Sequence, residues 1–211
     1  MAGYDELMEI MARRASHRKY LPDPVPREDI EKMAAAARLA PSAHNLQPWK
    51  LLALTGRDLI GKIAGAAAGK YGDLVRRLPE EAREEPAKFG FFVRHFGEAP
   101  LVFAVLSRRS ETDWGRLERL HGVAAPRPEG FDPDCLGVGA FVQNLLLAAE
   151  ALGYGACWVA APVMYAQAEV EKLLGVAPPW RLVSVVPVGR RTRDRDPAPK
   201  KDVSEILTVS P

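Results

Sequence analysis

The sequence predicts a single α+β domain, and three observations carry that expectation. Helical and strand-like segments do not alternate strictly as βαβ units, which argues against a doubly wound parallel sheet. No internal repeat or linker divides the chain. At 211 residues it is long enough for one sizeable core. Apolar residues make up 47% and charged residues 27%, as in ordinary globular chains. The formal net charge of +2 is too balanced to argue for a nucleic-acid surface.

The elements follow from periodicity and breakers. Residues 4–14 read as a first helix, with Leu7, Met8, Ile10 and Met11 on one side. The segment LPDPVP (21–26) places three prolines in six residues and must be extended. A second helix follows. Glu28 and Asp29 sit in its first turn, and Ile30, Met33, Ala34 and Ala37 form its apolar stripe; it ends before Pro41. WKLLALT (49–55) is a strand, and Gly56 to Asp58 its turn. A helix is expected over Leu59 to Ala68. Residues 76–88 are charged, broken by Pro79 and Pro86, and expected to be exposed. PLVFAVLS (100–107) suits a buried strand, and 108–133 a surface excursion. The strongest helix signal runs from Asp134 to Leu152 and closes at Gly153. It is apolar nearly all round, so other chain must cover most of its faces, within the domain or across a subunit interface. ACWVA (156–160) reads as a strand, Pro162 to Leu174 as a helix before Gly175, and RLVSVVPVG (181–189) as a further strand. The tail begins with charges and prolines and ends in an apolar, strand-like ILTV (206–209).

The apolar run around Val138 to Ala149 is too short and, with Gln143 and Asn144, too polar to span a membrane. The N-terminus shows no signal-peptide core. Cys135 and Cys157 read as free thiols in a reducing compartment, which predicts a cytoplasmic protein.

Several chemistries lack their motifs. No GxGxxG follows a strand, and Gly137-Val138-Gly139 opens a helix instead. There is no GxxxxGK[ST] loop, HExxH, paired CxxC or nucleophile elbow. His17, His44, His95 and His121 are scattered singly, which suits surface or hydrogen-bonded roles better than metal ligation. A chain with no catalytic constellation of its own commonly borrows a cofactor. Two polar segments remain. In ARRASHRKY (12–20), Arg13, Arg14, Arg18 and Lys19 cluster around Ser16. Guanidinium groups grip phosphate bidentately, although taken alone the cluster is better accounted for as a solvated basic helix end. In LAPSAHNLQPW (39–49), Ser42, Asn45 and Gln47 offer donors beside apolar surface, suited to a heteroaromatic ring. Alternatively, they satisfy their own loop.

Taken together, these segments resemble the nitroreductase family of flavoproteins. The resemblance rests on a basic RxSxR segment, a connection ending in PVP, the run APSAxNxQPW, LLLAAEALGYGACWVA (145–160) and VPVG (186–189). It extends over essentially the whole chain as one FMN-binding domain, with a variable excursion at about 70–133. It implies a mostly antiparallel central sheet flanked by helices and a homodimer with FMN at the interface. It also implies a C-terminal tail that extends toward the partner subunit. NAD(P)H would be the electron donor and a nitroaromatic, quinone or similar small molecule the acceptor, in alternating half-reactions. Neither nucleic acid nor membrane is an expected partner.

The resemblance also assigns residues. Arg14 and Ser16 match positions that hold the FMN phosphate and ribityl chain. Ala15 stands where a backbone contact or second basic residue is usual. Arg18 matches the cation beside flavin N1 and O2, where reduction places negative charge. Pro41, Ser42 and Ala43 match a loop that reaches the other subunit's FMN, with Asn45 and Gln47 on the same turn. Val159, Ala160 and Ala161 match a strand end whose amides face N5 and O4. Many relatives have Glu-Gly there, so in this chain only backbone N–H groups are on offer. Lys200 and Lys201 resemble the basic pair that completes the phosphate site, with Arg190, Arg191, Arg193 and Arg195 competing. Some relatives use an Asn near residue 70, where this chain has Lys70. No protein side chain is expected to act as nucleophile, and no metal is expected. The same scaffold hosts flavin destruction, dehalogenation and dehydrogenation. A flavin-binding module without turnover is a further alternative, its substrate face blocked by Phe89, Phe91, Phe92 or Trp114.

Overall fold

Strand β2 (Leu101–Arg108) is the axis of the fold. It pairs antiparallel with β1 (Trp49–Leu54) on one side and with β4 (Trp180–Gly189) on the other. At the far edge β4 carries the short β3 (Gly155–Ala156), giving the order β1-β2-β4-β3. The computed structural model describes residues 2–109, 113–122, 133–194 and 196–210.

Residues 101–107 are all buried because helices cover both faces of the sheet. Successive side chains of a strand point to opposite faces. Leu101, Phe103 and Val105 therefore enter one apolar cluster with Met33, Phe141 and Leu145. Val102, Ala104 and Leu106 enter another with Ile60, Ile63 and Val170. The first face is covered by α2 (Arg27–Ala37) and α6 (Pro133–Ala151), with α1 (Ala2–Arg13) laid against α6. The second is covered by α3 (Arg57–Arg76) and α7 (Ala161–Leu174), and α4 (Glu84–Arg94) packs on both of these. A short helix α5 (Asp113–His121) lies in the excursion. This is an α+β fold with an antiparallel sheet flanked by helices, as the sequence predicts.

Some expectations shift. Helix α3 continues to Arg76, past Ala68. It packs against α4, which begins inside the charged 76–88 stretch; that stretch is largely exposed, as expected, but ends as helix. Pro86 is in the first turn of α4, where a missing N–H costs no helical bond. Of ACWVA, only Ala156 joins a strand. Cys157 N–H donates to the Pro187 carbonyl at 3.3 Å, Val159 forms an isolated bridge with Val185, and Trp158 turns outward. The apolar tail does not form a strand. A short 3-10 turn, Val203–Glu205, is capped by Asp202, and Val203, Ile206, Leu207 and Val209 stay exposed. Within α6, Val142 and Leu145 are fully buried, whereas Leu136 on the same helix is 68% exposed. The helix closes at Gly153, whose φ of +80° a side chain would strain.

The Tyr154 hydroxyl donates to the Asp29 carboxylate at 2.7 Å, tying the entry of β3 to α2. That bond lowers the Asp29 pKa. Burial first, and then the bonded carboxylate, push Tyr154 up to about 12. The sign follows for each partner. The Asp29 contribution is present above the ordinary carboxylate range and is lost as pH falls through its lowered pKa. The Tyr154 contribution is present below about 10 and is lost as pH rises toward about 12. Tyr154→Phe should therefore be less stable than the parent at neutral pH, and the difference should vanish in acid. Denaturant titrations at several pH values test this, and a gap that persists undiminished at pH 2 would contradict it.

Candidate functional site

The site begins with a backbone seam. Ser16 bridges Ala156 in parallel fashion, and the His17 N–H donates to the Ala156 carbonyl at 2.9 Å. Farther along, Tyr20 bridges Arg191, and the Leu21 N–H donates to Arg190 at 2.8 Å. The segment is thus held extended along the sheet edge, and its side chains alternate. Ala15 and His17 are buried, while Arg14, Ser16 and Arg18 share the partly exposed face. Gly155 permits this approach, since a Cβ there would lie 2.8 Å from the His17 Cβ.

Two cavities, of about 290 and 220 Å³, meet at Arg18 and Phe92. The larger is bounded by Val159, Ala160 and Ala161, with His95 and Trp158. The smaller adds Lys19, Arg193 and Phe91. No carboxylate lines either one among the described residues. The Arg18 guanidinium lies over the Phe92 ring, 5.1 Å from its centroid, and donates a long bond of 3.5 Å to the Ser16 carbonyl. Val159 N–H is already committed to the Val185 carbonyl at 2.9 Å. That leaves Ala160 and Ala161, at the N-terminus of α7, to offer amides to the larger cavity. The positive end of a helix dipole favours negative charge there.

The arginines divide by partner. Arg13 pairs with Glu9 at 3.0 Å and reaches the buried Glu150 at 3.7 Å. Arg191 pairs with the same Glu150 at 3.3 Å. Both are largely neutralised. Arg14 differs, because its Nε is buried with no hydrogen-bond partner. A buried guanidinium N–H without an acceptor is costly, and it fits the oxygen of a phosphate. Of the predicted residues 14–18, Arg18 lines both cavities, whereas Arg14, Ala15 and Ser16 line neither. Arg18 beside the cavities and the unsatisfied Arg14 Nε nearby suit a phosphate-bearing cofactor with an electron-accepting ring.

The other predicted residues lie elsewhere. Pro41, Ser42, Ala43, Asn45 and Gln47 form a loop against the start of α6, and none of them lines either cavity. Gly137 admits it, since a Cβ there would meet the Pro41 carbonyl oxygen at 3.3 Å. The Ser42 hydroxyl accepts from the Gln47 N–H at 2.9 Å, so the loop satisfies part of its own polarity. His44, Asn45 and Gln47 adopt φ of 51°, 54° and 46°, a left-handed run that side chains resist. Lys200 and Lys201 sit exposed on the tail and line neither cavity. Arg193 is the cation beyond β4 that does. Arg195 and the Trp114 side chain lie outside the described residues. Lys70 is exposed on α3. His95 is hydrogen-bonded, as expected, but its place on the wall of the larger cavity is not legible in the sequence. It is buried, its Nδ1 lies 3.1 Å from the Phe92 carbonyl, and burial foremost holds its pKa below the usual histidine range.

Comparison with known proteins decides the family. The model of the nitroreductase family matches residues 11–190. The chain belongs to the nitroreductase family. A 4-nitrobenzoate reductase of Pseudomonas putida is 28% identical over 172 residues, 72% of this chain and 71% of that protein. The crystal structure of a BluB-like flavoprotein from Clostridium difficile 630 superimposes with a TM-score of 0.82 at 26% identity, covering 97% of this chain and 99% of the other. An oxidised iodotyrosine deiodinase bound to FMN and 3-iodo-L-tyrosine gives 0.71 at 25% identity, covering 93% and 96%.

The seam of this nitroreductase-family chain is testable in isolation. Gly155→Ala should lower unfolding stability by about 1–3 kcal/mol, because His17 must move to admit the methyl group. Urea denaturation measures the loss, and an unchanged midpoint would contradict the close approach.

Proposed function

We propose that this chain is an FMN-dependent oxidoreductase that draws electrons from NAD(P)H and delivers them to an electron-poor small molecule of the nitroaromatic or quinone type. The observation that carries the reading is the cavity in which Arg18 meets the Val159–Ala161 segment, with Arg14 and Ser16 half-buried nearby in the same segment as Arg18 but lining neither cavity. The FMN seen in the iodotyrosine deiodinase relative supports it. When bound, FMN supplies the two-electron chemistry, accepting hydride from NAD(P)H and passing it on.

The protein's own residues supply position, charge and exclusion of water. Arg14, whose Nε is buried without a partner, would hold the phosphate, and Ser16 would lie beside it. Arg18 keeps a cation beside the cavity, where negative charge grows as electrons arrive, and the amides of Ala160 and Ala161 add the positive end of α7. Trp158 and Met164 at the mouth of the larger cavity limit the entry of water. The Phe89, Phe91 and Phe92 group on α4 offers a surface on which a planar acceptor can stack.

We further read the working unit as a homodimer. Leu7, Met8 and Met11 on α1, Leu136 on α6 and Ile206, Leu207 and Val209 on the tail are all exposed in a single chain. That apolar surface favours a second copy. In this arrangement the strained 41–47 loop serves the partner's cofactor rather than its own, which accounts for its distance from the cavities. Lys200 and Lys201 on the tail are proposed to act at the phosphate, alongside Arg193.

FMN titration tests the assignment. The protein should bind about one FMN per chain and FAD less tightly. Arg14→Ala should weaken FMN binding. Arg18→Ala should retain some FMN, bound less tightly, and slow its reduction by an amount worth about 2–4 kcal/mol, provided water is excluded. A protein that fails to bind added FMN would reject the reading. Unaltered reduction in Arg18→Ala would reject the role of that residue alone.

A further inference from the structure

We propose that Phe92 is a positioning residue for Arg18, its ring holding the guanidinium at the cofactor cavity without neutralising it. The inference rests on the reading of Arg18 as the cation that faces FMN. Two arginines near the seam are held by carboxylates: Arg13 by Glu9 and Glu150, Arg191 by Glu150 and Asp194. Arg18 makes no ion pair among the described residues. Its anchors are the Phe92 ring at 5.1 Å and the Ser16 carbonyl at 3.5 Å. The difference matters physically. A carboxylate would fix the side chain but cancel the field that an electron-accepting ring requires. An aromatic face holds the same cation through its quadrupole and leaves the net charge intact.

Phe92 is itself fixed. Its carbonyl oxygen lies 3.1 Å from Nδ1 of the buried His95, an arrangement in which His95 donates. Burial foremost holds the His95 pKa below the usual histidine range, and the charge of Arg18 acts in the same direction. The ring meets Phe91 edge-on at 5.5 Å and Phe89 at 5.9 Å. The Tyr71 hydroxyl anchors the start of α4 by donating to the Pro86 carbonyl at 2.6 Å. Phe92 lines both cavities, as Arg18 does, so the pair stands where the two spaces meet.

The test compares Phe92→Leu, which keeps apolar bulk and removes the π face, with Phe92→Tyr, which keeps the face. Both are set beside Arg18→Ala and the Arg18→Ala/Phe92→Leu double variant. FMN affinity is read by fluorescence titration and the flavin midpoint potential by equilibrium reduction. Phe92→Leu should weaken FMN binding by roughly five- to thirty-fold, the size of one cation–π contact, and shift the potential downward. Phe92→Tyr should recover most of both. In the Arg18→Ala background, Phe92→Leu should add little. Should Phe92→Leu leave affinity and potential at parental values while Arg18→Ala moves them, the positioning role is overturned and the reading of Arg18 survives. Should Arg18→Ala itself move neither, the reading of Arg18 fails and the positioning role with it. If Phe92→Leu does not fold, Phe92→Met carries the same comparison.

Discussion

The candidate site depends on the backbone seam between residues 16–21 and the edge of the sheet. Two hydrogen bonds of 2.8 and 2.9 Å and two isolated bridges hold an otherwise unpaired segment in extended form. Extension gives the segment a two-residue side-chain period, and that period puts Arg14, Ser16 and Arg18 on one face. Had the residues continued α1 as a helix, the same three side chains would point in different directions. The seam is possible because Gly155 yields the space that the His17 Cβ needs. It also sets residues 16–18 beside 156–161, so a basic segment near one end of the chain meets the start of α7 across the sheet.

Charge is then sorted within a crowded basic region. Glu150, almost fully buried on α6, takes Arg13 and Arg191 as partners. An unpaired carboxylate at such depth would be strongly disfavoured, so the two arginines are committed to it. Arg14 and Arg18 have no such partner among the described residues. Neighbouring side chains of one type thus divide between those committed to the buried Glu150 and those left for a ligand. Among the described residues no carboxylate lines the cavities, and the first amides of α7 add positive character, so the region favours an anionic, electron-accepting guest.

Much of this was legible in the sequence where one local rule dominates. The buried run of β2, the stripe of α2 and the apolar length of α6 are periodicity signals, and their boundaries fall within a few residues of expectation. The fold class and the basic RxSxR segment were legible for the same reason. Helix α4 was hidden because Pro86 and the surrounding charges read as breakers, although a proline in a first turn breaks nothing. ACWVA was over-read as a strand, since β propensity cannot show that the chain leaves the ladder at Cys157. The pairing of Arg18 with Phe92 and the burial of His95 are tertiary facts. The first joins segments more than seventy residues apart, the second depends on what packs around α4, and no spacing rule predicts either. The 41–47 loop shows a subtler limit: its polar residues were visible, but three left-handed backbone positions within four residues were not.

The central claim is that the chain turns over electrons rather than merely holding a flavin. The most direct measurement is anaerobic mixing of the FMN-loaded protein with NADH and, separately, NADPH, followed by visible absorbance. The account predicts loss of the oxidised-flavin band with at least one of the two donors, and its return when an electron-poor aromatic or quinone acceptor is added. A flavin band that persists against an excess of both donors would contradict it and would mark the protein as a flavin-binding module.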